Sequence, residues 1–203
     1  MQSPVAKLTQ LARDNDCLAL VDIAQSAGII PIDIPSWDAD AVFGSSVKWL
    51  CGGPGAGYMW INPDRSADLV PQDVGWFSHE NPFEFDIRNF KPAPAAKRFL
   101  GGTPSVAPYA MALGGIRTLA KIGIDAVRAH NLELMRRLNP DIEDHRNGGT
   151  LCLDFGDRVH AIAATLQDIG CRFDQRGTSL RLSFHIYNTG DEADKIAEIV
   201  NQT

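Results

Sequence analysis

The chain has 203 residues, 44% hydrophobic and 22% charged, a globular composition long enough for one large domain or for pieces of two. A formal charge of −6 gives no basic footprint for nucleic acid, and no apolar run approaches the roughly 18 residues of a membrane span. Met1-Gln2-Ser3-Pro4 lacks the charged start and apolar core of a secretory signal; Cys17, Cys51, Cys152 and Cys171 form no C-x-x-C pair or metal-ligand spacing, so reduced thiols in a cytoplasm and no metal are expected.

Ser3 followed by Pro4 reads as the N-cap and first position of a helix to about Asn15. Cys17–Asp22 is then a continuous apolar run ending in an acid, the pattern of a parallel strand buried on both faces. Ile29–Asp33 and Asp40–Gly44 follow as short strands or extended segments, then Gly57–Ile61. Residues 62–102 are rich in proline and aromatics without periodicity, and loops of that length in a compact domain are usually functional. Thr103-Pro104 reads as another N-cap and first position, opening a helix to about Lys121, and a second helix runs from about Asp125 to Leu138. A strand at Thr150–Asp154, a helix at Arg158–Ile169, a strand at Ser179–Phe184 and a helix from about Asp191 complete the chain. No internal repeat or low-complexity tract is present.

Two segments carry chemistry. Asp22 closes one apolar strand in Val21-Asp22-Ile23-Ala24-Gln25-Ser26-Ala27-Gly28, and 26 residues later Lys48 closes another in Ser46-Val47-Lys48-Trp49-Leu50-Cys51-Gly52-Gly53-Pro54-Gly55. A carboxylate that can face a pyridine nitrogen and an amine that can form an imine are what a pyridoxal 5'-phosphate site requires. An acid at a strand end also serves turns and caps, and a lysine after a strand is commonly a solvated charge; the apolar neighbours of Lys48, however, predict a desolvated amine with a depressed pKa. The glycines of 52–57 fit neither nucleotide fingerprint: with Gly53 and Gly55 as the first two glycines of G-x-G-x-x-G, Tyr58 falls on the third, and no Gly-Lys-Ser/Thr follows.

These motifs resemble the D-x-A-[HQ]-S-x-G and K-[YW]-L-x-G-G-P-G segments of class V aminotransferases, in particular kynureninase and its relatives. Gly75-Trp76-Phe77-Ser78-His79 is similar to their G-W-[FW]-G-H segment, Gly101–Ser105 to the loop that follows, and Ser179–Thr189 to their I-R-x-[SA]-P-H-x-Y-N-T motif, with Phe184 in place of the proline. The resemblance implies an α/β fold: part of the large domain of a fold type I pyridoxal phosphate enzyme, with a mixed, mainly parallel sheet, over 1–122, and a small C-terminal α+β domain over 123–203. It implies Lys48 as Schiff-base lysine, Asp22 at the ring nitrogen, Gln25 at the ring oxygen, Trp76 and Thr103 at the phosphate, and Arg181 at the substrate carboxylate. His185 and Tyr187 read as packing residues.

Kynureninases carry histidine where this chain has Gln25 and tyrosine where it has Val47, which argues for the wider group of transferases, hydrolases and lyases of amino-acid metabolism rather than kynureninase proper. No cysteine lies in a desulfurase-like loop motif. Opening on a helix that feeds a buried strand, the chain is expected to lack the upstream half of such a domain. A homodimer or a complementing N-terminal chain is then the expected assembly, and a non-catalytic remnant or one half of a split enzyme the alternative to an active enzyme.

Overall fold

The computed structural model describes residues 2–65 and 69–201. The chain divides into two compact units, one of Pro4–Ala27 and Ile32–Arg117, the other of Met1–Ser3, Gly28–Pro31 and Thr118–Thr203.

In the first unit, α1 (Val5–Asp14) leads to β1 (Leu20–Asp22), a single helical turn α2 (Ile34–Trp37), β2 (Ala41–Ser45) and β3 (Gly57–Ile61). β1 pairs parallel with β2, Asp22 opposite Phe43, and β2 pairs antiparallel with β3, Phe43 opposite Met59. The side chains alternate between faces. Val42 and Ile23 are buried with Ala39 against Val21, Ala27, Ile34, Trp37, Tyr58 and Trp60. The opposite face is covered in part: Ala41 and Ile61 are buried there, while Leu20, Phe43 and Met59 are 59%, 38% and 39% exposed. The run 17–22 is therefore not buried on both faces: Ala19 is covered, while Leu18 and Leu20 are mostly exposed.

Asp40 fastens the start of this sheet. Buried, it accepts from the Ala19 N–H at 2.7 Å and from Arg65 Nη1 at 3.0 Å, and its own N–H donates to the Ala19 carbonyl. Beside it Asp38 pairs with Arg13 and Arg65.

Between β3 and the next helix the described residues are irregular apart from 3-10 turns at Trp76–Ser78 and Ala95–Phe99 and an isolated bridge of His79 to Pro92. The next helix, α3 (Ala107–Ile122), begins later than Thr103-Pro104 suggests. Two prolines compete for its first turn; the Val106 carbonyl accepts the first helical bond, from Ala110, so Pro108 and not Pro104 occupies the turn where a missing N–H costs nothing.

The second unit contains α4 (Ile124–Leu138), β4 (Thr150–Asp154), α5 (Val159–Asp168), β5 (Asp174–Arg176), β6 (Ser179–Ser183) and α6 (Gly190–Val200), with an antiparallel sheet ordered β4-β6-β5. Leu151, Leu180 and Leu182 face a core with Leu132, Met135, Leu138, Leu166, Phe184 and Ile196. The buried positions of α4, Val127, Arg128, Asn131, Leu132, Leu134, Met135 and Leu138, recur at helical spacing. Arg128, 3% exposed, gives its guanidinium to Asp144, Asn131, Gly148 and Asn147, which holds the 144–148 loop and makes it a structural arginine. No helix among the described residues is long and apolar enough to cross a membrane.

Candidate active site

Parallel pairing of β1 and β2 sends both chains out at the same edge of the sheet, the edge where ligands settle in open α/β sheets. Asp22 is the last residue of β1 and Gln25 lies in the turn after it; Lys48 comes five residues after Phe43, the partner of Asp22. Asp22 Oδ1 accepts from the Ala24 N–H at 2.8 Å, which orients the carboxylate through its own turn and leaves Oδ2 without a bond among the described residues. Asp22, Gln25 and Lys48 are all exposed. No described residue forms an ion pair with Asp22 or Lys48. The enclosure expected around Lys48 is not found: Trp49 turns inward at 8% exposure, but Val47 is 46% exposed and leaves the amine in solvent.

Ser46 shapes the lysine loop. Its hydroxyl donates to the Ala56 carbonyl at 3.1 Å and lies 3.3 Å from that of Gly53, while its carbonyl accepts from the Gly52 N–H at 2.8 Å. A Cβ on Gly52 would come within 2.8 Å of the Ala112 backbone, so glycine here serves close approach to α3.

Trp76 and Thr103 lie on segments that the structure brings together. Gly75 packs so closely on Gly101 that a Cβ would meet its carbonyl at 2.5 Å, and the Phe77 N–H donates to the same carbonyl at 2.9 Å. Ser78, fully buried, accepts from the N–H groups of both Gly75 (3.0 Å) and Gly101 (3.1 Å). Trp76 is 49% exposed and meets Phe77 and Phe83 edge to face. Thr103 is exposed in the stretch before α3, so it caps no helix. His79 is structural: its Nδ1 accepts from the Asn81 N–H at 2.9 Å and Nε2 lies 3.0 Å from the Asn89 carbonyl, closing the loop between them.

In the second unit Arg181 sits on the solvent face of β6, between Cys152 of β4 and Asp174 of β5. Its Nη1 donates to Asp174 Oδ2 at 3.0 Å. His185 is 3% exposed and accepts through Nδ1 from the Ile186 N–H, and its ring stacks on Tyr187.

Comparison with known proteins decides the family. The family described as Aminotransferase class-V matches residues 1–152, well over half of the chain. The chain belongs to the class-V aminotransferase family. The kynureninase of Pseudomonas fluorescens is 36% identical over 129 residues, 63% of this chain and 30% of that protein. The kynureninase of Burkholderia mallei is 35% identical over the same length. Among solved structures, the apo cysteine desulfurase of Thermococcus onnurineus superimposes with a TM-score of 0.83 at 22% identity, over 98% of this chain and 55% of that one. A C-DES variant with glycine covalently linked to its PLP cofactor gives 0.76 at 21% identity, over 98% of this chain and 56% of that one. The chain thus has the fold of part of a fold type I enzyme, and spans about half the length of these structures, less of the kynureninases.

In this class-V chain, sequence reasoning missed Ser46, Ser78, Asp174 and Tyr58. Ser78 had a visible signal, because it stands where the similar segment has glycine. Tyr58 is half-buried over Gly44, its hydroxyl has no hydrogen-bond partner among the described residues, and burial together with the charge of Asp22 pushes its phenol up.

Proposed function

We propose that the chain is part of a pyridoxal 5'-phosphate-dependent enzyme acting on an amino acid. Lys48 is the amine that holds the cofactor and moves a proton at the substrate carbon, Asp22 faces the ring nitrogen and Gln25 the ring oxygen. Trp76 and Thr103 bind the phosphate, and Arg181 binds the substrate carboxylate. The observation that carries this reading is an exposed amine and an exposed carboxylate, neither in an ion pair among the described residues, where two parallel strands leave the sheet together. Bound there, the cofactor would supply an aldehyde for an amine and a protonated ring that withdraws electrons from a carbanion.

The donor set fits that group. Asp22 keeps one oxygen free and is held by its own turn, so its charge is oriented before any ligand arrives. Gln25 adds an amide that donates to an oxygen, and the Gly75–Gly101 contact puts the Trp76 and Thr103 segments side by side. Gln25 and Val47 argue against kynurenine hydrolysis and leave the other reactions of the class-V group open. In this reading residues 1–122 belong to the cofactor-binding large domain and 123–203 form the small domain. The protein works in the cytoplasm as a homodimer or with a complementing chain, which covers the apolar face of Leu20, Phe43 and Met59.

Reduction with borohydride in the presence of pyridoxal phosphate, followed by peptide mapping, tests the assignment. The label is expected on Lys48. A label on Lys91 or Lys97 instead would overturn it, and no label at all would favour the non-catalytic remnant.

A further inference from the structure

Arg181 has one edge engaged and one open. Its Nη1 donates to Asp174 Oδ2 at 3.0 Å, and no other hydrogen bond of this guanidinium occurs among the described residues. The edge formed by Nε–H and the Nη2–H beside it is left, and two parallel donors of that kind match the two oxygens of a carboxylate. Asp174 Oδ2 is itself shared, accepting also from Arg176 Nε at 2.9 Å. One carboxylate thus serves two guanidiniums, and the group of three keeps a net positive charge. The arrangement is built by the sheet, because Asp174 and Arg181 are register partners across β5 and β6. Both side chains remain accessible, 36% exposed for Arg181 and 47% for Asp174.

We propose that Asp174 is a positioning residue: it pins Arg181 through Nη1 and so presents the Nε–H and Nη2–H edge to the carboxylate of a small ligand. A free arginine loses considerable side-chain freedom when it binds, and a pin that has already removed much of it leaves a smaller cost at binding. Sharing Asp174 with Arg176 matters as well, since a carboxylate devoted to Arg181 alone would neutralise it. The proposal rests on the assignment of Arg181 to a substrate carboxylate, but needs no bound cofactor.

The full chain, labelled with nitrogen-15 at arginine, is titrated with acetate and with L-alanine while the arginine Nε–H signals are followed. One signal, identified by its loss in Arg181→Lys, is expected to shift saturably. Asp174→Ala should weaken acetate binding about 5- to 10-fold, the order expected for unpinning one rotamer-rich side chain. Asp174→Asn, whose amide oxygen still accepts from Nη1, should bind at least as tightly as the wild type; rescue by this variant separates pinning from a general loss of structure. Asp174→Ser, too short to reach Nη1, repeats the test should the alanine variant not fold.

Three results would each overturn the proposal: no saturable shift in the wild type, acetate binding by Asp174→Ala as tight as or tighter than the wild type, or Asp174→Asn as weak as Asp174→Ala. Tighter binding by the alanine variant would mean that Asp174 is a competitor occupying the site. Borohydride labelling of Lys48 in the same variants keeps the two readings apart, because a failed acetate response with Lys48 still labelled defeats the role of Asp174 and leaves the cofactor assignment standing.

Discussion

Asp40 ties three parts of the first unit together, the start of β1, the start of β2 and the turn at Arg65. Burial alone would push its carboxyl up, but the Ala19 N–H and the Arg65 guanidinium outweigh burial and hold it below its ordinary value. A depressed carboxyl stabilises the fold at neutral pH, and that contribution is lost as pH falls through the usual carboxylate range, near 4, to the lower folded value. Asp40→Asn keeps an acceptor for Ala19 but loses the charge opposite Arg65. It should cost about 1–3 kcal/mol at pH 7 in urea unfolding, with the gap to the wild type closing in acid. A gap unchanged from pH 7 down to about pH 3 would contradict this. Asp22 ends β1 as its apolar run suggests, but Lys48 does not close a strand: β2 stops at Ser45 and the lysine lies in the turn that follows. The roles of Ser46 and Ser78 were not legible, since a serine that bridges two distant backbone segments looks in sequence like any other serine.

At the scale of elements, adjacent glycines in α3 give opposite expectations. A Cβ on Gly115 would overlap the carbonyl oxygen of Leu50, which belongs to the turn that follows Lys48, while a Cβ on Gly114 meets nothing within 4 Å. Alanine is favoured over glycine inside a helix by about 1 kcal/mol, so Gly114→Ala should stabilise the protein by up to that amount. Gly115→Ala should destabilise it by about 1–3 kcal/mol despite the same propensity, because the overlap is with backbone that cannot swing aside. Thermal unfolding of the two variants settles the sign. The elements themselves were legible to different degrees. β3 and β4 have the bounds their alternation gives, Gly57–Ile61 and Thr150–Asp154. Ile29–Asp33 formed no strand, and the three charged or polar residues of β5, Asp174–Arg176, carry no hydrophobic period, so only pairing with β6 reveals them. The sequence Thr189-Gly190-Asp191-Glu192 did hold a readable signal, a capping box: the Glu192 N–H reaches Thr189 Oγ1 at 3.3 Å and the Thr189 N–H reaches Glu192 Oε2 at 2.8 Å.

For the molecule as a whole, large apolar side chains are exposed in two places. Leu18, Leu20, Phe43 and Met59 are exposed around the first sheet, and Phe83, Phe85 and Ile87 are 65%, 84% and 95% exposed in the long irregular segment. Among the described residues β1 pairs on one side only, and an open strand edge beside apolar side chains is a template for another strand. Sedimentation equilibrium over a wide concentration range should therefore show a dimer or larger species. A monodisperse, stably folded monomer would defeat the expectation of a partner and the edge argument with it. The α/β class was legible from the order of helices and strands, whereas the partly open face of the first sheet was not, because a run of apolar residues does not say how much of each face this chain covers.

The two backbone hydrogen bonds to the Ser78 hydroxyl have a kinetic consequence. Gly75 and Gly101 lie in irregular chain 26 residues apart, where backbone N–H groups ordinarily exchange their protons with solvent quickly, yet both donate to one buried hydroxyl. Any opening that displaces Ser78 removes the acceptor of both at once. If openings displace Ser78, deuterium should enter these two glycines at matching rates in a hydrogen-exchange experiment, although they stand far apart in the chain; clearly different rates would mean that the segments of Trp76 and Thr103 open separately.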